Sequence, residues 1–463
     1  MHRVSGVDAA FLYGETPTWH MHVSAVLLVD PTEAGGEFTF ERFCDHIASR
    51  VHLAPQFLWR LVEVPLGLDR PVFIDDADFS VDAHLNSITV PSPGDTGQLG
   101  RLIGDLVARK LDRTRPLWEM WFIQGLADGR VAILAKVHHA IVDGVTGSEL
   151  AMLLMDLEPD PPAPEPPEPP AVPSVSPDLT DLVVRGLASA ALTPWRMAQF
   201  MWQTARQGAR LVPFRRQEAP PPVPFQAPRV SFNAELTSRR QFAYTGVPLA
   251  DVRHIKDHCG VKVNDVVLAL CAGALRRYLI DRRELPDAPL IAQVPVSMRV
   301  DGDSAVGTKV GAMFASLATH LDDPLERLMA IADGTRNAKE MQKALAAEKI
   351  MGISETAPPG LIDLAARMYT LAGLDRGLPP LMNTIISNVP GPSFPIWCAG
   401  SPVDALYPMG PLLYGTGLNI TVFSYRDSVD FGFLVCPELV PHPWRLVDGV
   451  HEAMAELMEA CAD

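Results

Sequence analysis

The stretch "VAILAKVHHAIVDGVTG", residues 131–147, opens as an apolar run and closes in a polar turn. Its first seven residues have the length and β-branched content of a buried strand. His138 and His139 follow, and Asp143 and Gly144 stand four and five residues beyond the second histidine. Thr146 with Glu149 three residues on makes a capping box for a helix over "GSELAMLLMDL", 147–157. Strand, polar loop and capped helix form the repeating unit of an α/β fold, and the loop at the strand end is where such folds commonly carry chemistry.

Working outward, "HVSAVLLVD" (22–30) reads as a second buried strand, and "FTFERFCDHIASRVH" (38–52) and "TGQLGRLIGDLVARKLD" (96–112) have helical spacing. The pattern then breaks at "EPDPPAPEPPEPPAVPSVSP" (158–177), half of it proline. Proline fixes φ and removes a donor, so this segment is neither helix nor central strand but an extended connector. A second proline cluster at 219–228 closes the interruption. Three parts result: residues 1–157, a bridge at 158–228, and residues 229–463. In the bridge, 193–211 predicts a helix whose Arg196, Gln199, Gln203, Arg206, Gln207 and Arg210 share one face, with Trp195 and Trp202 off it. Such a helix suits a membrane surface, although packing on its own protein is the commoner origin of an amphipathic helix. The third part repeats the alternation: helices over 264–280, 324–345 and 443–461, and strands over 289–298, 383–389, 418–426 and 429–436, the last two a hairpin around Asp427-Ser428.

The whole chain has 463 residues, 39 basic against 55 acidic, for a net charge of −16. That length calls for two domains. That acidity excludes sequence-independent nucleic-acid binding, which requires neutralising phosphates with Lys and Arg. The six cysteines are scattered without a CxxC pair, so neither a disulfide framework nor a zinc site is expected and a reducing cytoplasm fits. The N-terminus lacks the basic-then-apolar pattern of a signal peptide, and no run of about 18 uncharged apolar residues occurs. Contact with a membrane would be peripheral.

Histidine titrates near neutrality and can take a proton from an alcohol as a bond forms. Gly144 permits a turn that a side chain would obstruct. No GxSxG elbow is present and no cysteine adjoins the loop, so the motif offers a base and a shaped loop without a covalent nucleophile. Adjacent histidines on an extended segment diverge, which disfavours a metal site. Direct attack of one substrate on another is the chemistry that remains.

"HHAIVDG" matches the HHxxxDG motif of the CoA-dependent acyltransferase superfamily. With "SGVDAAFL" (5–12), "RPLWEMWFIQGL" (115–126), "VNDVVLALCAGALRRYL" (263–279), "VPVSMR" (294–299) and "SNVPGP" (387–392), the chain resembles the bacterial wax ester synthase/diacylglycerol acyltransferase family. The resemblance implies two chloramphenicol-acetyltransferase-like α/β domains with the active site between them. It implies His139 as proton acceptor, His138 as a supporting residue and Asp143 as a structural one, with Arg299 the partner expected for Asp143. The family's Asn-Asp pair falls on Asn264 and Asp265, where helix capping is an equal reading for Asn264. Pro116, Leu117, Trp118, Ser387 and Asn388 become candidates for lining a substrate tunnel, against core packing for the first three and turn formation for "VPGP". The implied reaction is O-acylation of diacylglycerol, with fatty alcohols as further acceptors, using long-chain acyl-CoA as co-substrate and neither cofactor nor metal. Two alternatives stay open: an acyltransferase fed by a carrier protein, and a weakly catalytic lipid-binding protein of droplet or inner-membrane surfaces. The oxyanion donor is not identified by the sequence.

Overall fold

The computed structural model describes residues 2–33, 37–64, 69–142, 153–162, 164–165, 222, 225–297, 310–346 and 379–462. Expectations for the bridge helix at 193–211, most of the proline connector and the capped helix after Gly144 fall outside these residues.

The first lobe runs through β1 (His2–Arg3), α1 (Gly6–Gly14), β2 (His22–Val29), α2 (Phe40–Arg50), β3 (Trp59–Val62), β4 (Val72–Asp75) and β5 (Leu85–Thr89). It continues with α3 (Thr96–Val107), β6 (Trp118–Gln124) and β7 (Val131–His138). The second lobe contributes β8 (Gln241–Pro248), α4 (Leu249–Cys259), α5 (Val263–Asp281), β9 (Ile291–Ser297), β10 (Val310–Ser316) and α6 (Pro324–Ala346). Then come β11 (Thr384–Pro390), β12 (Trp397–Cys398), β13 (Ser401–Met409), β14 (Leu418–Tyr425), β15 (Ser428–Val435) and α7 (Trp444–Ala460). The strands form two six-stranded sheets, ordered β12-β13-β2-β7-β6-β5 and β10-β9-β11-β14-β15-β8, with a small sheet β1-β4-β3 beside the first. The architecture is the two-lobed mixed α/β arrangement expected from the sequence.

One crossover cuts across the division of the chain at residue 229. β12 and β13 lie late in the sequence yet belong to the first sheet, where β13 pairs antiparallel with β2 through Tyr407↔Val26 and Leu406↔Leu27. Local periodicity carries no record of such a partner. Pro402, Asp404 and Pro408 also blur the strand pattern of this segment.

Local chemistry explains the elements around the site. α3 begins at a capping box in which Asp95 accepts from the Gln98 amide at 2.7 Å and Gln98 accepts from the Asp95 amide at 3.0 Å. It ends at Val107, short of the predicted residue 112, where the ammonium of fully buried Lys136 takes the carbonyls of Leu106 (3.1 Å) and Arg109. Gly100 and Gly104, one turn apart, lay this helix directly on β8. A Cβ at either position would sit 2.3 Å from the carbonyl oxygen of Phe242 or Arg240. The lobes therefore meet through backbone, and the seam is apolar: Val26, Leu28, Ile103 and Leu106 join Phe242, Leu434 and Cys436 in one buried cluster. Each such side chain contributes roughly 1.5–3 kcal/mol by leaving water. In the second lobe α5 is buried along most of its length, from Asp265 to Leu279. Among the described residues, no single helix is long and apolar enough to cross a membrane.

Candidate active site

β7 ends at His138, which pairs with His22 of β2 and donates its backbone N–H to the Leu117 carbonyl at 2.9 Å. A single 3-10 turn, His139–Ile141, follows at once. His138 caps it: its Nδ1 accepts from the Ala140 N–H at 3.0 Å. His139 donates its backbone N–H to the Met21 carbonyl at 2.7 Å, and Ala140 and Ile141 plug into the core. The His139 ring remains partly exposed, with its centroid 4.2 Å from that of Phe11 on α1. The two neighbouring histidines thus differ in exposure: His138 is buried, and His139 is partly exposed although its Nδ1 is shielded from solvent.

Glu15, just past α1, is the principal residue that the sequence reading missed. Its side chain is 1% exposed, and Oε1 lies 3.3 Å from His138 Nε2 and 3.7 Å from His22 Nε2. The same oxygen accepts from the Met21 N–H at 3.1 Å. Oε2 faces Arg113 at 2.8 Å and Lys110 at 3.1 Å. Burial opposes ionisation here, but His138, Arg113 and the Met21 amide outweigh it and hold the carboxyl far below the usual carboxylate range. His22 is pushed the other way. Burial, followed by Lys136 and His138, lowers its pKa well below the ordinary histidine value, so its ring is neutral. The available signal was "ETPTWHMHV" (15–23), an acid and two histidines leading into a buried strand.

Other predicted residues separate into groups. Asp143, Gly144 and Arg299 lie outside the described residues. Pro116, Leu117 and Trp118 are buried. Trp118 donates its indole N–H to the Phe57 carbonyl at 2.8 Å and stacks on His84 at 4.4 Å, a packing role. Leu117 reaches the site only through the carbonyl that receives the His138 amide. In the second lobe, Asn388 donates to Asn264 Oδ1 at 3.3 Å, so the segments "VNDVV" and "SNVPGP" meet side chain to side chain. Asn264 sits inside the first turn of α5 rather than at its cap, Lys262. Asp265 accepts from the Lys262 N–H at 3.0 Å and from the Thr335 hydroxyl at 2.7 Å, so it fixes the start of the helix.

Ser387 and Asn388 do not stand at a strand end. β11 continues to Pro390, in parallel register with β14 through Ser387↔Thr421 and Asn388↔Val422. Its pairing with β9 stops at Ile385, so the missing N–H of Pro390 breaks no bond on that side. Val389 and Val142 pack against the cluster that holds Ala140, Ile141, Phe423 and Tyr425. The far ends of β11 and β14 therefore share one apolar cluster with the turn that carries His139. No group of three metal-ligating side chains occurs among the described residues.

A sequence profile of the wax ester synthase/diacylglycerol acyltransferase catalytic domain matches residues 4–267, and one of the family's C-terminal domain matches residues 306–458. A Mycobacterium tuberculosis H37Rv protein with the provisional name of a diacylglycerol O-acyltransferase is 38% identical over 464 residues, covering 100% of this chain and 91% of that protein. A second protein of the same strain, provisionally named likewise, is 34% identical and covers 98% of each chain. Among solved structures, the wax ester synthase/diacylglycerol acyltransferase from Marinobacter aquaeolei VT8 superposes with a TM-score of 0.71 at 28% identity over the full length of both chains. A condensation domain of the calcium-dependent antibiotic synthetase shares the fold, with a TM-score of 0.56 at 16% identity over 98% and 96% of the two chains. Matched in both halves and along its whole length, the chain belongs to the wax ester synthase/diacylglycerol acyltransferase family and is an acyltransferase.

Proposed function

We propose that the enzyme transfers a long-chain acyl group from acyl-CoA to the free hydroxyl of diacylglycerol, forming triacylglycerol, and that fatty alcohols serve as further acceptors. His139 is the general base. Its imidazole takes the hydroxyl proton as the oxygen attacks the thioester carbonyl. The tetrahedral intermediate then collapses, the carbon–sulfur bond breaks, and the imidazolium returns the proton to the departing CoA thiolate. Protons balance over the cycle, and no cofactor or metal is called for.

The observation that carries this reading is the contrast within the motif. His138 is buried and committed to the turn, whereas His139 is partly exposed on a backbone pinned at Met21. Positioned bases contribute roughly 10²–10⁴-fold to rate. The test is turnover of long-chain acyl-CoA with diacylglycerol by His139→Ala, expected to fall by about that factor with unchanged melting temperature. Undiminished turnover would remove His139 from the mechanism. Running the same assay with an acyl-carrier-protein donor separates CoA from carrier dependence. The basic helix expected at 193–211 is proposed to hold the enzyme on a lipid droplet or the inner membrane face. Flotation with liposomes, compared between the intact chain and one carrying Trp195→Ala and Trp202→Ala, checks that attachment.

A further inference from the structure

Glu15 lies outside the short motifs quoted from the sequence, yet its Oε1 is close to both supports of the His139 turn. An imidazole nitrogen that accepts a hydrogen bond cannot itself be protonated. His138 Nδ1 accepts from the Ala140 N–H at 3.0 Å, so the proton of a neutral His138 sits on Nε2. That nitrogen lies 3.3 Å from Glu15 Oε1. The same carboxylate oxygen accepts from the Met21 N–H, and the carbonyl of Met21 accepts from the His139 N–H. Arg113 and Lys110 occupy the other oxygen, which keeps the carboxylate oriented.

The geometry points to Glu15 as a positioning residue: its Oε1 fixes the His138 proton on Nε2, and His138 so fixed, with Met21, holds the turn that presents His139. This rests on the reading of His139 as the base. Glu15 touches no reacting atom. It acts through one carboxylate oxygen that accepts from the Met21 N–H on one side of the turn and faces His138 Nε2 on the other. Loss of that acceptor would leave His138 free to move its proton to Nδ1, where it would meet the Ala140 N–H head-on.

Glu15→Gln tests this in the full-length protein. The Oε2 side faces two cations, which draw the amide oxygen of a glutamine and turn its NH₂ toward His138 and the Met21 N–H. Donor then opposes donor, and His138 is driven to the Nδ1–H tautomer. In ¹⁵N-histidine-labelled protein, with His138 signals assigned by their loss in His138→Asn, the wild type should show protonated Nε2 and bare Nδ1. Glu15→Gln should exchange them. The kcat of the variant is expected to fall about 10–100-fold, a magnitude taken by analogy from the outer partners of metal-bound histidines, while KM for both substrates stays within about twofold.

A His138 signal that does not move, or one that moves while kcat is retained, overturns the proposal. Should Glu15→Gln fail to fold, the wild-type spectrum alone decides, because protonated Nδ1 at neutral pH is incompatible with the arrangement. Turnover of His139→Ala is measured alongside. Activity retained there defeats the base assignment, while the tautomer result still judges the link between Glu15 and His138.

Discussion

Behind β7 the first lobe buries charge: Glu15 and Lys136 lie almost wholly out of water, beside the buried rings of His22 and His138. Where β9 and β11 begin, the second lobe buries neutral amides instead. Asn383 accepts from the Ile291 N–H at 2.8 Å and donates to Asn233 at 2.8 Å and to the Pro228 carbonyl at 2.6 Å. Asn233 donates in turn to the carbonyls of Met382, Asn383 and Gly415. An ion taken from water costs several kcal/mol even when paired, whereas a satisfied amide network costs far less and still fixes backbone. The costly burial stands beside the catalytic candidate and the inexpensive one beside the junction of the bridge with the second sheet. Polar groups in the two regions serve different ends.

The strongest way to break that contrast is Asn383→Ala. It leaves several buried partners unmatched and should destabilise the fold by about 4 kcal/mol, while kcat per folded molecule stays unchanged. Urea denaturation read beside kcat on the soluble fraction checks it, and a kcat loss at full folding would erase the distinction.

Asp430 of β15 sharpens the comparison as a buried carboxylate of the second sheet. Burial raises its pKa to about 6, against the Ser428 hydroxyl and the Leu406 N–H, which favour the ionised form. A raised carboxyl pKa means that the folded state holds the proton more tightly than the unfolded one. The associated stability is full below the unfolded value near 4 and is lost as pH rises through about 6. Asp430→Asn should therefore gain on the wild type by up to about 3 kcal/mol between pH 4 and pH 7.5. A gap between the two melting curves that stays constant with pH would contradict this.

The smallest of these effects concerns the seam itself. Gly104→Ala forces α3 away from the Arg240 carbonyl and should cost about 2 kcal/mol, whereas Gly129→Ala, with open space around its Cβ position, is strained only by its positive φ. Equal losses from both would mean that the close approach across the lobes contributes nothing.

Much of the frame was legible because it is written in short-range pattern. β2, β7, α5 and the β14–β15 hairpin fall within a residue or two of their predicted bounds, and the hairpin's Tyr425↔Ser428 pair places the two-residue loop at Arg426-Asp427, one position early. At the candidate site His138 and His139 were legible for the same reason, standing where an apolar run stops. Glu15 was not. Its partner Arg113 is 98 residues away, and a lone glutamate before Thr-Pro has the local signature of a surface turn. The Asn264–Asn388 contact, 124 residues apart, was hidden likewise, although each residue was marked separately. Trp118 was legible only as an alternative, because a conspicuous aromatic near a motif fits a tunnel as well as a core until its indole partner is known.

The late strand pair 397–409 also bears on where the chain can be cut. A fragment ending before residue 397 would leave β2 with one bare row of amides and carbonyls along Val26, Leu27 and Leu28, an invitation to intermolecular pairing. Chimeras that exchange the catalytic half between relatives therefore need to carry this distant segment with it. Otherwise the recipient's β13 must mate with a foreign edge, and solubility will fail before any question of specificity can be asked.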